Sequence, residues 1–185
     1  MKQLIVSAVL IFSATAVFAA VEIHTATDFP TQITKIAIAP IPCPADLACA
    51  KVEKALNKSV KKQFPGVAVI TTEEINQALF DENIAEANKE AIIAVARKLG
   101  CDAILLPAVV GSNRKDHWNT WTDYKTGQNQ VFDAASVAST VQILIITLDG
   151  KMLLKGQASG ESYLQTDQTY FAEYQFDKIL RKATK

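Results

Sequence analysis

The chain has 185 residues, with 19 basic and 19 acidic side chains, so its formal net charge is zero. Hydrophobic residues make up 49% and charged residues 21%, a globular composition that excludes a disordered or collagen-like chain. Its three cysteines are too few for a disulfide-dense mini-protein, and the balanced charge argues against a dedicated nucleic-acid binder. The length fits one domain that buries most of its apolar surface.

Residues 1–19 have the pattern of a secretory signal peptide. Lys2 precedes an apolar run over 4–17, and small residues follow it. We expect cleavage after Ala19, because cleavage after Ala20 would put a bulky phenylalanine where a small residue is needed. The run is shorter than the ~20 apolar residues that cross a bilayer. The sequence therefore predicts a periplasmic protein with no integral membrane segment after signal removal.

The cysteines are interpreted in the light of that compartment. Cys43 and Cys49 lie in a proline-rich corner, and the periplasm is oxidising. A disulfide between them would staple the corner and add a few kcal/mol (about 2–4) to stability, less if it is strained. Their spacing differs from the Cys-x-x-Cys redox motif. Cys101, beside an apolar run, is interpreted as a small buried hydrophobe.

The chain after the signal is expected to consist of an irregular amino-terminal arm, residues 20–32, and one domain, residues 33–185. An almost continuous apolar strand over 33–40 ends at prolines. Asp46 is expected to cap a helix that runs to about Gln63. Its buried stripe comprises Val52, Leu56, Val60 and Phe64. Five lysines lie among these residues, namely Lys51, Lys54, Lys58, Lys61 and Lys62. They are interpreted as a solvated face, the alternative being weak contact with an anionic lipid surface or an acidic partner.

A short strand at 67–70 and two helices follow. Thr71 to Glu74 has the spacing of a capping box, and Ile75, Leu79 and Phe80 are the apolar positions of the first helix. Asn88 opens the second helix, Gly100 ends it, and the strand 101–110 comes next. The order βαβααβ implies helices packed on a largely parallel sheet.

The last third has a different pattern. Residues 111–130 are polar and are predicted to form a long loop, after which 131–148 and 151–164 have the pattern of strands. Asp149-Gly150 between them is a strong hairpin signal. The final helix is predicted at 168–182, with core contacts from Phe171, Tyr174, Ile179 and Leu180. The prediction is a single α/β domain, with a mixed, mostly parallel sheet flanked by helices and an antiparallel hairpin after the βαβααβ part.

Three stretches resemble a known family. They are the opening strand Lys35–Pro40, the helix end and strand Ala96–Leu106, and the strand–turn–strand Ile143–Leu154. Together they resemble the periplasmic α/β module of the TolB amino-terminal domain, CsgG and LpoB-type envelope proteins, in which the second stretch often includes Leu-Gly-Ala-Asp. The resemblance covers about residues 33–165 and implies an anticodon-binding or TolB-N-like fold.

What the resemblance implies about function is broad. Members of that group act as assembly factors, secretion components and enzyme activators, so fold alone does not transfer a function. The chain departs from the lipoprotein members because it has no cysteine at the cleavage point, and from TolB because no propeller follows the module. The resemblance therefore implies a free-standing version of the module.

No catalytic, metal or cofactor motif stands out. There is no nucleophile-elbow motif, no phosphate-binding glycine motif and no metal-ligand spacing around the two histidines, His24 and His117. The predicted function is therefore non-enzymatic. An alternative that the residues leave open is a thiol or metal-dependent hydrolase using Cys101 and His117.

The predicted loop carries the candidate binding residues. Trp118, Trp121 and Tyr124 are three apart among polar residues that include Asp116 and His117. Exposed aromatics of this kind anchor protein interfaces, although they can equally fold back over a sheet edge. The leading hypothesis is a periplasmic adaptor that binds an envelope protein, or itself, through this loop. The alternative is a glycan or peptide site at the carboxyl ends of the parallel strands, around 40–46 and 109–113.

Overall fold

The computed structural model describes residues 20–27, 29–42, 44–123, 125–162 and 167–185, and only the backbone of 117–121 and 130–134. The described residues form one α/β domain. Its strands are β1 (Ala20–Thr25), β2 (Lys35–Ile38), β3 (Ala68–Ile70), β4 (Ala103–Thr122), β5 (Asn129–Thr147) and β6 (Met152–Ser162). Its helices are α1 (Cys49–Gln63), α2 (Thr72–Asp81), α3 (Lys89–Lys98) and α4 (Gln168–Ala183). The predicted signal peptide at 1–19, with its cleavage point, lies outside the described residues.

The six strands form one mixed sheet in the order β1-β6-β5-β4-β2-β3. β2 pairs in parallel with β3 and β4, whereas β4–β5, β5–β6 and β6–β1 pair antiparallel. The predicted mixed sheet flanked by helices is confirmed. The expectation of a mostly parallel sheet is wrong, because the three longest strands are joined by tight turns and can therefore pair only antiparallel.

Two helices cover each face of the sheet, and each pair closes its own core. On one face α1 and α4 pack on the sheet, and their core includes Val52, Leu56, Val60, Phe176 and Ile179. On the other face α2 and α3 form a smaller core that includes Ile75, Leu79, Ile92, Val95 and Ile104. The predicted stripe of α1 is buried throughout, so that prediction is confirmed.

Asp102 joins the beginnings of the parallel strands β2 and β4. Its Oδ2 accepts hydrogen bonds from Thr34 N (2.9 Å), Thr34 Oγ1 (2.5 Å) and Lys35 N (2.9 Å). Asp102 N in turn donates to Lys35 O at 2.8 Å, and Lys35 Nζ donates to Leu99 O at 2.6 Å. These hydrogen bonds, first of all the one from the Thr34 hydroxyl, lower the pKa of the Asp102 carboxyl. We refer to this arrangement as the Asp102 clamp.

The helix starts test three predictions about capping. Thr71 and Glu74 form the predicted capping box of α2, and Asn88 Oδ1 accepts from Ala91 N at 2.9 Å to cap α3. Asp46 does not cap α1. The cap position is Ala48, and Asp46 Oδ2 accepts instead from Gln168 Nε2, at 3.0 Å, at the start of α4.

The amino-terminal segment is not irregular over its whole length. Residues 20–25 form β1, which pairs antiparallel with β6 along its whole length. Val21 and Ile23 pack against the core under α4, while Glu22 and His24 are exposed on the other face. That alternation is the period-two signal of a half-buried strand, and it is present in the sequence over too few residues to stand out.

Pro107 lies inside β4, where a proline is tolerated only on a free edge. Leu105 O accepts from Ala39 N at 2.9 Å, so the polar backbone groups of residue 105 face β2. Because these groups alternate sides along a strand, the nitrogen of Pro107 also faces the β2 side. The described pairing of β2 with β4 ends at Leu105, so no ladder hydrogen bond is lost at Pro107.

Gly156 in β6 provides the close approach of α4 to the sheet. A methyl group built on Gly156 would overlap Cγ2 of Ile179, a fully buried residue of α4. Ile is branched at Cβ and has little rotamer freedom in a helix, so it cannot swing away.

We expect Gly156→Ala to lower the free energy of unfolding by about 1–3 kcal/mol, since the added methyl overpacks the core. Urea unfolding at neutral pH measures this. Gly111→Ala in β4 is the matched control, because no heavy atom lies within 4 Å of its added methyl. Combining Gly156→Ala with Ile179→Ala removes the clashing methyl and should cost less than the sum of the two single changes. Equal losses for the two glycine variants would contradict this packing.

We expect Asp102→Asn to destabilise the protein at neutral pH, and the loss to shrink as pH falls through the lowered pKa of the folded-state Asp102 carboxyl. The folded-state pKa is lowered, so the stabilisation is fully present above the unfolded pKa of about 3.9 and is lost as pH falls through the folded pKa. Urea unfolding of both proteins from pH 7 to pH 2.5 tests the sign. A Thr34→Val control removes one donor to the clamp and should show the same trend with a smaller amplitude. A difference between wild type and Asp102→Asn that does not change with pH would show that the charge is irrelevant.

Candidate functional site: the distal ribbon

The segment 111–130, which was predicted to be a loop, is mostly strand. β4 continues to Thr122 and β5 begins at Asn129, so the two strands form one long antiparallel hairpin. The backbone register pairs Trp118 with Asp133 and Trp121 with Gln130. The loop prediction is wrong because it took polar composition as a sign of irregular structure. A ribbon remote from the core needs no run of apolar residues.

The hairpin turn is organised by Asp123. Its backbone accepts from Gly127 N at 2.7 Å and donates to Gln128 O at 2.9 Å. Its carboxylate accepts from Lys125 N at 2.8 Å and from Thr126 Oγ1 at 2.9 Å. The hydrogen bond from Lys125 N is the main reason why the pKa of Asp123 is lowered. Gly127 has a φ of 69°, which favours glycine at that place in the turn.

The outer part of the hairpin, residues 116–135, consists of two strands in the described part of the chain; we call it the distal ribbon. β6 pairs with β5 only as far as Val137, opposite Ser162, and β2 pairs with β4 only as far as Leu105. In the part of the chain that the structure describes, no third strand therefore lies beside the ribbon. From residue 116 to residue 122 the ribbon extends about 20 Å. An isolated two-stranded hairpin is marginally stable in water, so such a ribbon depends on further contacts.

Buried polar contacts hold the inner end of the hairpin to α4. Gln175 is fully buried, its Oε1 accepts from Ser139 Oγ at 2.5 Å, and its Nε2 donates to Ser139 O at 3.0 Å. Opposite Ser139 in the register is Ser112, whose Oγ accepts from Gln168 Nε2 at 2.9 Å. α4 thus fixes both strands before they leave the body of the domain.

The contacts of α4 were predicted only in part. Phe171, Ile179 and Leu180 are buried as expected, whereas Tyr174 is 42% exposed. Phe176, which is buried, was missed, as was the polar anchor Gln175 described above. Similarly, Phe80 was expected to be an apolar contact of α2 but is 77% exposed.

The structure places four of the five predicted partner-binding residues on one element. Asp116, His117, Trp118 and Trp121 all lie on the β4 strand of the distal ribbon, and Tyr124 lies outside the described residues. The Asp116 carboxylate is exposed and pairs with Arg114 Nε at 3.0 Å. A role of these residues in partner binding remains a prediction.

The thiol–histidine alternative does not fit the geometry of one chain. Cys101 precedes β4 and His117 lies in the fifteenth position of that strand, so about 45 Å of extended backbone separates them. Burial raises the pKa of the Cys101 thiol, which disfavours the reactive thiolate. Among the described residues, no group of three or more His, Cys, Asp or Glu side chains could hold a metal ion.

Three further expectations meet the structure as follows. Cys43 lies outside the described residues; the Cys49 thiol is free and donates to Leu47 O at 3.5 Å, and no disulfide occurs in the described ranges.

The five lysines of α1 are all exposed, as a solvated face requires. Over the described parts of the chain, no helix combines the length and the apolar character needed to cross a membrane.

The two segments proposed for a ligand site do not share one cavity. An open groove of about 660 Å³ beside the end of β2 is lined by Pro40 and Pro42, but on β4 its lining is Leu106, Pro107 and Ala108. Residues 111–113 border a different, shallower depression.

Comparison with known proteins adds information on the fold. No family model and no curated protein matches the chain. Among solved structures, it is similar to a PelC dodecamer from Paraburkholderia phytofirmans, with 12% identity and a TM-score of 0.57, over 90% of this chain and 98% of that one. It is also similar to a single-substitution variant of that dodecamer, with 12% identity and a TM-score of 0.55, over 90% and 99% of the two chains. No TolB, CsgG or LpoB structure was found, so the resemblance inferred from the sequence motifs is wrong. At this identity the similarity to PelC establishes a shared fold.

Proposed function

We propose that this chain is a non-enzymatic binding protein of the periplasm that assembles with copies of itself through the distal ribbon. The observation that carries the proposal is the ribbon itself, two strands with no third strand beside them among the described residues. A structural element of this kind gains stability when another chain covers it.

The edges of the ribbon favour a contact made by strands. Beyond Leu105 the outer edge of β4 has no strand partner in the described ranges, and beyond Val137 the same holds for β5. Free strand edges pair readily with other chains, and natural proteins cover them or use them for binding. The surface around the turn is polar and exposed at Thr122 and at residues 125–129. Contact with a neighbouring copy through strand edges therefore requires no large apolar patch at this end of the ribbon.

The two tryptophans supply the binding energy in this proposal. Trp118 and Trp121 are of the residue type most enriched among interface residues whose loss is costly. Asp116 at the inner end of the ribbon pairs with Arg114, which precedes the ribbon on β4, and the two exposed side chains would form the polar rim of the contact.

The comparison with solved structures supports assembly of identical copies. Both similar PelC structures are dodecamers, and the similarity covers almost the whole of each PelC chain. Closed assemblies of identical subunits repeat the same contact between neighbouring copies. A ribbon on one copy that lies against the body or ribbon of the next would be such a contact. The proposed location in the periplasm rests on the signal-peptide pattern of residues 1–19.

We expect the double variant Trp118→Ala/Trp121→Ala to dissociate the assembly. Loss of two such anchors, at about 2 kcal/mol or more each, amounts to about 4 kcal/mol and weakens self-association on the order of 10³-fold when the two losses add. Sedimentation velocity of the exported, purified protein over a concentration series measures the change. The thermal midpoint of the dissociated chain, measured in parallel, shows that the domain body remains folded.

The matched control removes two exposed aromatic residues outside the ribbon. Phe80→Ala/Tyr170→Ala takes away side chains that are 77% and 56% exposed and should leave the assembly intact. If the control dissociates the assembly as much as the tryptophan variant does, the ribbon is not the contact. If wild type is a monomer at every concentration, self-assembly is wrong. Cross-linking in intact cells then decides whether the ribbon captures a different envelope protein.

A further inference from the structure

We propose that the groove on the open face of the sheet binds a single-chain amphiphile with an anionic head group, such as a fatty-acid carboxylate. The inference does not depend on the proposed function, because the groove lies on the body of the domain and includes no residue of the distal ribbon.

The groove exists because the helices on one face cover only part of the sheet. α2 and α3 pack over β2, β3, the beginning of β4 and the end of β5, where Ile104 and its β5 neighbour Ile146 are buried. Farther along β4 and β5 on the same face, Leu106 and Leu144 are only half-buried, and Met152 at the start of β6 is 46% exposed. The result is the mainly apolar groove of about 660 Å³ between α3 and the sheet. Its volume is within the range of small-molecule sites.

The strand register gives this groove a direction. Leu106 of β4 pairs with Leu144 of β5, Leu144 pairs with Lys155 of β6, and Lys155 pairs with His24 of β1. Directly opposite residues in neighbouring strands project from the same face of a sheet. The row is therefore apolar beside α3 and basic at the far side of the sheet.

The charge of the lining is of one sign. Among the residues that the structure describes, Lys89 and Lys155 are the titratable residues that line the groove, and Gln142 is the other polar side chain of this lining. Both lysines are exposed, and neither forms an ion pair with any residue that the structure describes. Lys89 also stands at the first turn of α3, where the helix dipole adds positive potential.

These features together select the class of ligand. A small polar anion would gain nothing from walls made of Pro40, Pro42, Leu106 and Leu144, and a neutral apolar molecule would gain nothing from the two lysines. A molecule with an apolar chain and one negative charge uses both parts of the lining. A second copy of the chain is the rival occupant of an open apolar face, and the experiment is designed to distinguish it.

Calorimetric titration with decanoate, below its micelle concentration, tests the proposal on the wild-type protein. Decyltrimethylammonium has the same chain length and the opposite charge, and butyrate has the same head group and a short chain. We expect saturable binding of decanoate, with a rise in the thermal midpoint, and no saturable binding of the other two. Equal binding of the cationic amphiphile, or no binding of decanoate, would overturn the proposal.

Two variants locate the site. Lys155→Ala should weaken decanoate binding by up to about five-fold, the upper end of the range for an exposed charge pair, and Lys155→Glu should weaken it further. Leu144→Asn should weaken binding at least as much by making one wall polar. Lys151→Ala is the matched control. Lys151 is an exposed lysine that directly precedes β6, four residues before Lys155, and it does not line the groove. Unchanged affinity in the Lys155 variants would overturn the location.

The rival occupant gives a different result. If a second copy covers the groove, Leu144→Asn lowers the sedimenting mass, and decanoate binds only to the dissociated chain. That outcome overturns the ligand proposal. Loss of assembly in the ribbon variant with unchanged decanoate affinity supports both proposals independently, so the failure of one is distinguishable from the failure of the other.

Discussion

The Asp102 carboxylate fixes where the parallel strands β2 and β4 begin relative to each other. Parallel strands are not joined by a tight turn, so their register must be set by other contacts. Here Oδ2 of Asp102 accepts from the backbone of both Thr34 and Lys35, while Asp102 N donates back to Lys35 O. β2 is only four residues long and would be poorly fixed without this clamp. β4 is twenty residues long, so the same contact also places the distal ribbon relative to the domain body.

The helices cover the two faces of the sheet to different extents, and this difference creates the candidate sites. On one face α4 approaches so closely that β6 needs a glycine under Ile179, and the core there is continuous across β1 to β4. On the other face two ten-residue helices cover Ile146 of β5 but leave Leu144 of β5 half-buried and Met152 of β6 exposed. On the first face, the buried hydrogen bond between Ser139 and Gln175 also holds the inner end of the hairpin against α4. The second face leaves apolar strand surface accessible beside Lys89 and Lys155, which form no ion pair with any residue in the described ranges.

The sequence predicted best those elements whose signals are local. The capping box of Thr71, the cap of Asn88 and the final helix needed only short-range chemistry. The distal ribbon could not be predicted in this way, because the alternation of a strand appears in sequence only where a core buries one side of it. Gln175 was missed because a polar residue on a helix is usually solvated, and its buried partner on β5 is distant in sequence. The family resemblance failed for a related reason: short apolar strands ended by glycine or proline occur in many unrelated α/β domains.

Pro107 has a consequence for how copies of this chain can meet. A strand added along the free edge of β4 finds no N–H to bond at that residue. A second interruption follows shortly, because the register of β4 against β5 shifts between Val109 and Gly111. An uninterrupted ladder therefore cannot grow along the whole strand, which opposes open-ended, fibre-like stacking of sheets. The ribbon beyond the irregularity has no proline on either strand. Uninterrupted edge pairing along β4 is thus limited to the outer hairpin, so a contact that uses this edge involves a short ladder.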